Sequence, residues 1–205
     1  MLITRISQLF ARKLAIVSGY VEEEDFLRYG FELLIGYFIK VLLLLTIAVS
    51  LHITLQTIFL VLAFVSLRIF SGGHHLSTYL SCMIFSLGLF ILLAVVATNP
   101  PQILINHLLI TLHVAIILGM VSISCLPKEN NNNPIIKSKK GIPYFVLTIW
   151  YFILLVGYLF DMEPTLILSS LFGLMLQYTS LTPIGVKIIE KVNQLLVERS
   201  LIKNA

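Results

Sequence analysis

The sequence predicts an all-α, polytopic membrane protein with six transmembrane helices, amphipathic interfacial helices at its N- and C-terminal ends, and both termini cytoplasmic. Three observations carry this. Hydrophobic residues make up 58% of the 205 and charged residues 12%, about half of the roughly 25% charged residues used by a soluble domain; the mean hydropathy is +0.98. The apolar residues fall in blocks of about 17–23, the length a helix needs to cross hydrocarbon, where backbone polar groups must be satisfied within the segment. The cations, finally, are confined to one set of loops.

Residues 1–17 place Leu2, Ile3, Ile6, Leu9, Phe10, Leu14 and Val17 at helical spacing, opposite Arg5, Arg12 and Lys13. This is a helix lying in the membrane interface or one packed on the transmembrane core. No small-residue cleavage site follows it, so it is not read as a signal peptide. The cluster Glu22-Glu23-Glu24-Asp25 reads as a solvated helix start.

Six spans follow, at 31–51, 53–69, 78–97, 103–125, 143–160 and 165–182. Asn99-Pro100-Pro101 ends the third, Asp161 to Pro164 breaks the fifth from the sixth, and Thr182-Pro183-Ile184-Gly185 stops the sixth. Residues 185–205 form a second amphipathic segment. The whole chain, 1–205, is expected to be one integral membrane domain: an N-terminal segment 1–28, a core 31–182 with loops at 70–78 and 127–141, and the C-terminal segment.

Six spans put both termini and the loops after the second and fourth spans on one side. Of the 14 Lys and Arg residues, all but Lys40 fall on that side, and Lys40 lies within the first span. The opposite loops carry only Asp161 and Glu163 as charges. By the positive-inside rule the cation-rich side is cytoplasmic, in a multi-pass plasma-membrane protein. A pI near 9.1 suits contact with an anionic inner leaflet rather than with nucleic acid.

Chemistry concentrates between the second and third spans, in Arg68, Gly72-Gly73-His74-His75, Ser77, Thr78, Ser81 and Cys82. A thiol attacks a carbonyl as thiolate and needs a base within hydrogen-bond reach. His75 and Cys82 are seven residues apart, about 10.5 Å along a continuous helix, too far for proton transfer over about 3 Å. The glycine pair permits a bend instead, with Ser77 or Thr78 capping the third span and Cys82 in its first turns. There the helix dipole and a protonated histidine favour the thiolate. Several other readings stay open. The cysteine is inert packing, or His74, His75 and Cys82, with Cys125 or His107, hold a metal. Lys40 and Glu32 mark a polar path in a small transporter or peptide exporter, or the chain is a scaffold.

At this motif the chain resembles the accessory gene regulator B family, membrane cysteine endopeptidases that process quorum-sensing propeptides in Gram-positive bacteria. The residues that carry the resemblance are Arg68, Gly72-Gly73-His74-His75 and Cys82. It extends to six spans, a basic loop after the fourth (Asn130 to Pro134, then Lys137, Lys139 and Lys140), and the ending Leu181-Thr182-Pro183-Ile184-Gly185. In that middle loop the family often carries an Asp two residues after the Pro, whereas Lys128 and Glu129 follow Pro127 here.

The resemblance selects His75 over His74 as the base and makes Cys82 the nucleophile. It implies cleavage of a short amphipathic propeptide through a thioester on Cys82, followed by ring closure to a thiolactone or lactone. Arg68, Gly72, Gly73 and Ser77 are then expected to bind substrate or position the loop, and Lys137, Lys139 and Lys140 to attract an acidic tail. No metal and no cofactor are called for. The partners expected are the propeptide, the bilayer and a second copy of the chain in a homodimer.

Overall fold

The computed structural model describes residues 2–18, 24–72, 79–124 and 141–203. All regular structure among them is helical: α1 (Leu2–Ser18), α2 (Glu24–Ser50), α3 (Thr54–Ser71), α4 (Tyr79–Thr98), α5 (Gln102–Asn106), α6 (Leu108–Ser124), α7 (Gly141–Leu159), α8 (Pro164–Leu181) and α9 (Pro183–Lys203). The described residues of the six predicted spans are largely helical. Four of these helices, α2, α3, α4 and α7, are by themselves long and apolar enough to cross a membrane, and the bent pair α8–α9 qualifies as a fifth. The fourth predicted span is not one uninterrupted helix. His107 leaves helical geometry (φ −115°, ψ 30°) between α5 and α6, and α6 alone rises only about 25 Å against roughly 30 Å of hydrocarbon.

The chain divides into two compact units, 1–50 and 51–205. In the first, α1 packs on α2, and Phe10 meets Phe31 at a ring-centroid distance of 5.8 Å. The face α1 buries is made of Ser7, Ala11 and Ala15, four residues apart and small enough for close helix approach. Its bulky residues Leu9, Phe10, Leu14 and Val17 remain exposed. Glu24 and Asp25 sit in the first turn of α2, where carboxylates complement the helix dipole. Arg28 bridges Asp25 at 3.2 Å and approaches Glu32 at 3.8 Å.

In the second unit α8 is the hub, with α3, α6, α4 and α7 packed around it, most extensively α3. It buries residues on every face, from Ile167 through Leu174 to Leu181. The crossing with α3 is close enough that a Cβ built on Gly173 would run into the Leu60 carbonyl oxygen. Trp150 of α7 reaches α3 by donating from Nε1 to Ser66 Oγ at 2.7 Å. Thr57, Ser71, Ser169 and Ser170 each donate their hydroxyl to the carbonyl four residues back.

Helix ends follow local chemistry. Asp161 adopts φ 54°, while Met162 N–H donates to Gly157 O at 2.8 Å and Asp161 N–H to Tyr158 O at 3.4 Å. These are the paired bonds of a Schellman end, with an aspartate in the left-handed position. Pro164 then opens α8 where no backbone donor is missed. After α8, Thr182 Oγ1 accepts from Gly185 N–H at 3.2 Å, with Pro183 as first residue of α9. The sequence Thr-Pro-x-Gly is therefore a stop for one helix and an N-cap for the next, and the chain bends by 80° there.

Candidate active site

The motif between the second and third spans falls on the end of α3 and the start of α4. Arg68 lies in the last turn of α3. Its Nη1 donates to Gln177 Oε1 of α8 at 3.2 Å, and its guanidinium sits 5.4 Å from the Phe64 ring centroid, within range of a cation–π contact. Phe64 in turn meets Phe90 of α4 edge-on at 5.1 Å. Arg68 is thus tied into the interior of the bundle by α8 and by an aromatic step toward the helix that carries Cys82.

Gly72 ends α3. Its N–H donates to the Arg68 carbonyl at 2.9 Å, and its backbone takes φ 69°, ψ −150°, a region open in practice only to glycine. α3 therefore ends at Gly72, the first of the glycine pair, and the rest of the expected bend lies outside the described residues. Space is not the constraint, since nothing lies within 4 Å of a Cβ built there. Gly72→Ala is thus expected to cost about 1–3 kcal/mol of backbone strain or to redirect the chain. The check is a melting curve with cleavage measured on the same sample: wild-type values for both would contradict the strain.

Cys82 is the fourth residue of α4 as described, half-buried, and in no disulfide among the described residues. Its carbonyl accepts from Ser86 Oγ at 2.6 Å. Ser81 precedes it, also half-buried. Gly73, His74, His75, Ser77 and Thr78 lie outside the described residues, as do Cys125, Lys137, Lys139 and Lys140. The structure brings together Arg68, Ser71, Gly72 and Gln177. His107 is set apart from Cys82 by the length of α4, about 24 Å of helix from Cys82 to Thr98 alone. His113 is exposed on α6; its Nδ1 is 2.7 Å from Leu109 O and its Nε2 3.2 Å from the Tyr151 hydroxyl.

Gln177 was not among the residues the sequence singled out, though it had a signal. It is a lone amide among apolar residues of the sixth span, and polar groups at membrane depth seldom lack a task.

Composition and fold together define the class, a helical membrane protein with several apolar helices long enough to span a bilayer. A family model described as accessory gene regulator B matches residues 3–181. The chain belongs to that family, and membership ties it to the processing step of accessory gene regulator quorum sensing. The match runs from α1 through α8, so the Thr182-Pro183-Ile184-Gly185 cap lies beyond it. No curated protein and no solved structure matches the chain.

Proposed function

We propose that this protein is a membrane-embedded cysteine endopeptidase that removes the C-terminal tail of a short propeptide and promotes its cyclisation. The observation that carries the reading is that the two flanks of the motif converge on one support. Arg68 and the glycine-only end at Gly72 are fixed on α3, Cys82 lies on α4, and both helices pack on α8. Membership of the accessory gene regulator B family supports the substrate class.

His75 takes the Cys82 proton as the thiolate attacks the scissile carbonyl, then returns it to the departing amine. The N-terminal portion of the propeptide is left as a thioester on Cys82. A cysteine thiol (or serine hydroxyl) within that portion attacks the thioester carbonyl, closes the ring and releases the Cys82 thiol. Exchange between two thioesters is close to isoenergetic, so that step needs no external energy; departure of the cleaved tail drives the first. Backbone N–H groups of the bend supply the oxyanion site, and Lys137, Lys139 and Lys140 draw in an acidic tail. The six apolar segments α2, α3, α4, α5–α6, α7 and α8 are the six spans, with both termini and the 68–82 segment cytoplasmic. The functional unit is a homodimer.

The chain reconstituted in vesicles is expected to form an adduct with a propeptide whose internal nucleophile has been replaced by alanine, because ring closure is then blocked. Intact-mass measurement should show the N-terminal fragment on Cys82, released by hydroxylamine. Cleavage with no adduct at any time point would sink the thioester route. Exporter activity rests on Lys40 and Glu32, and Glu32 lies 3.8 Å from Arg28 on its own helix, a local pairing that needs no transport path.

A further inference from the structure

Gln177 is fully buried in α8, and both ends of its side-chain amide are hydrogen-bonded. Nε2 donates to Ser71 Oγ at 2.9 Å and to the Gly72 carbonyl oxygen at 2.7 Å. Oε1 accepts from Arg68 Nη1 at 3.2 Å, and the single Ser180 Oγ proton is shared between Oε1 at 3.2 Å and the Gln177 carbonyl oxygen at 2.8 Å. Chemistry fixes the orientation of the amide. Flipped, it would set Nε2 against a guanidinium that only donates, and Oε1 against a carbonyl that only accepts.

We infer that Gln177 is a positioning residue for the site, a C-cap supplied to α3 by another helix. The inference rests on the reading of Cys82 and His75 as the dyad. The last carbonyls of a helix have no donor within the helix, and in an apolar bundle an unmet carbonyl is costly. Gln177 meets that need at Gly72. Holding the Gly72 oxygen restrains the end of α3 from which the chain runs on toward His75. In the sequence only Gly73 and His74 separate Gly72 from His75. The same side chain holds Arg68 and Ser71, so three groups of the α3 end are set by one amide. Packing alone would be served better by leucine, since a buried amide is tolerated only when every group is paired.

Gln177→Leu and Gln177→Glu, each in the full-length chain in vesicles with a propeptide substrate, separate the roles. Glutamate keeps an acceptor for Arg68 and Ser180 and strengthens the Arg68 contact. It has no N–H for Ser71 or Gly72, however, and sets a carboxylate oxygen against the Gly72 carbonyl. Both variants are expected to lose roughly 10- to 100-fold in kcat, the scale of a small misplacement of a reacting group, with KM essentially unchanged. Rates are taken per folded molecule, counted by gel filtration.

Wild-type kcat in Gln177→Glu would overturn the inference, because the Arg68 contact alone would then suffice. So would losses in both variants that vanish once the folded fraction is counted. Should either variant fail to fold, Ser71→Ala decides, since it removes one acceptor and leaves Gln177 buried: a smaller fall in kcat supports the cap and an unchanged kcat overturns it. Failure of the dyad reading has its own signature, cleavage that survives Cys82→Ser whatever is done at Gln177.

Discussion

Cys82→Ser is expected to lower propeptide cleavage by roughly 10³-fold or more, the scale seen when a covalent nucleophile is removed. The reason is chemical rather than steric. Serine nearly matches the shape of cysteine, and Cys82 is only half-buried, so the melting temperature should hardly move. A hydroxyl is a far weaker nucleophile than a thiolate, and the proposed dyad has no third group to press the histidine against it. The measurement is tail release from a synthetic propeptide in vesicles, with Cys125→Ser as the companion variant expected to cleave normally. If Cys82→Ser cleaved like the parent, the cysteine would be packing and the peptidase reading would fall. Loss in Cys125→Ser but not in Cys82→Ser would move the nucleophile to the other cysteine.

Gly173→Ala carries the largest expected effect on stability. The added methyl group would meet the Leu60 carbonyl oxygen and carbon and the Ala63 methyl. Two of these are backbone atoms that cannot swing aside as a side chain can. Helix propensity alone would favour alanine by about 1 kcal/mol, so the clash must exceed that gain to show. Overpacking a tight interface costs about 1–3 kcal/mol and occasionally more. The upper part of that range is expected here, because α3 and α8 form the most extensive helix pair of this unit. A melting temperature lower by roughly 5–10 °C in detergent follows for a chain of this size. Gly88→Ala is the control: nothing lies within 4 Å of a Cβ built at Gly88, and that variant should melt at or slightly above the parent temperature. Equal melting of the two variants would mean that the α3–α8 crossing gives way at little cost.

The helix ends were legible in the sequence because their causes lie within a few residues. Pro164 and Pro183 open helices where no donor is lost, and Thr182 caps α9 three residues ahead of Gly185. The break at 161–163 was legible as a break, though not as a left-handed aspartate with paired C-terminal bonds. The fourth span was less so. The polar pair Asn106-His107 interrupts its apolar run where α5 ends, but neither residue is a helix breaker as proline or glycine is, so the pair did not read as a break. On α1, periodicity drew attention to the bulky apolar residues, yet the face that packs is Ser7, Ala11 and Ala15. In a chain with lipid on the outside, bulky side chains gain nothing by turning inward, and small ones let helices approach.

For the candidate site, the sequence located Arg68, the glycine bend and Cys82, since these are local and chemically distinctive. By itself it also determined the helical membrane class and the family, because both are written in composition, block length and a short motif. It could not say what holds the bend. Gln177 meets Arg68, Ser71 and Gly72 across 105 to 109 positions of chain, and a lone amide in an apolar run names no partner. Only the tertiary structure decided that α8 is the hub, that Gly173 admits α3 at backbone distance, and that one buried amide caps the end of α3. The physical reason is that burying a polar group in an apolar bundle is tolerated only where distant groups complete its hydrogen bonds, and distance along the chain hides which groups those are.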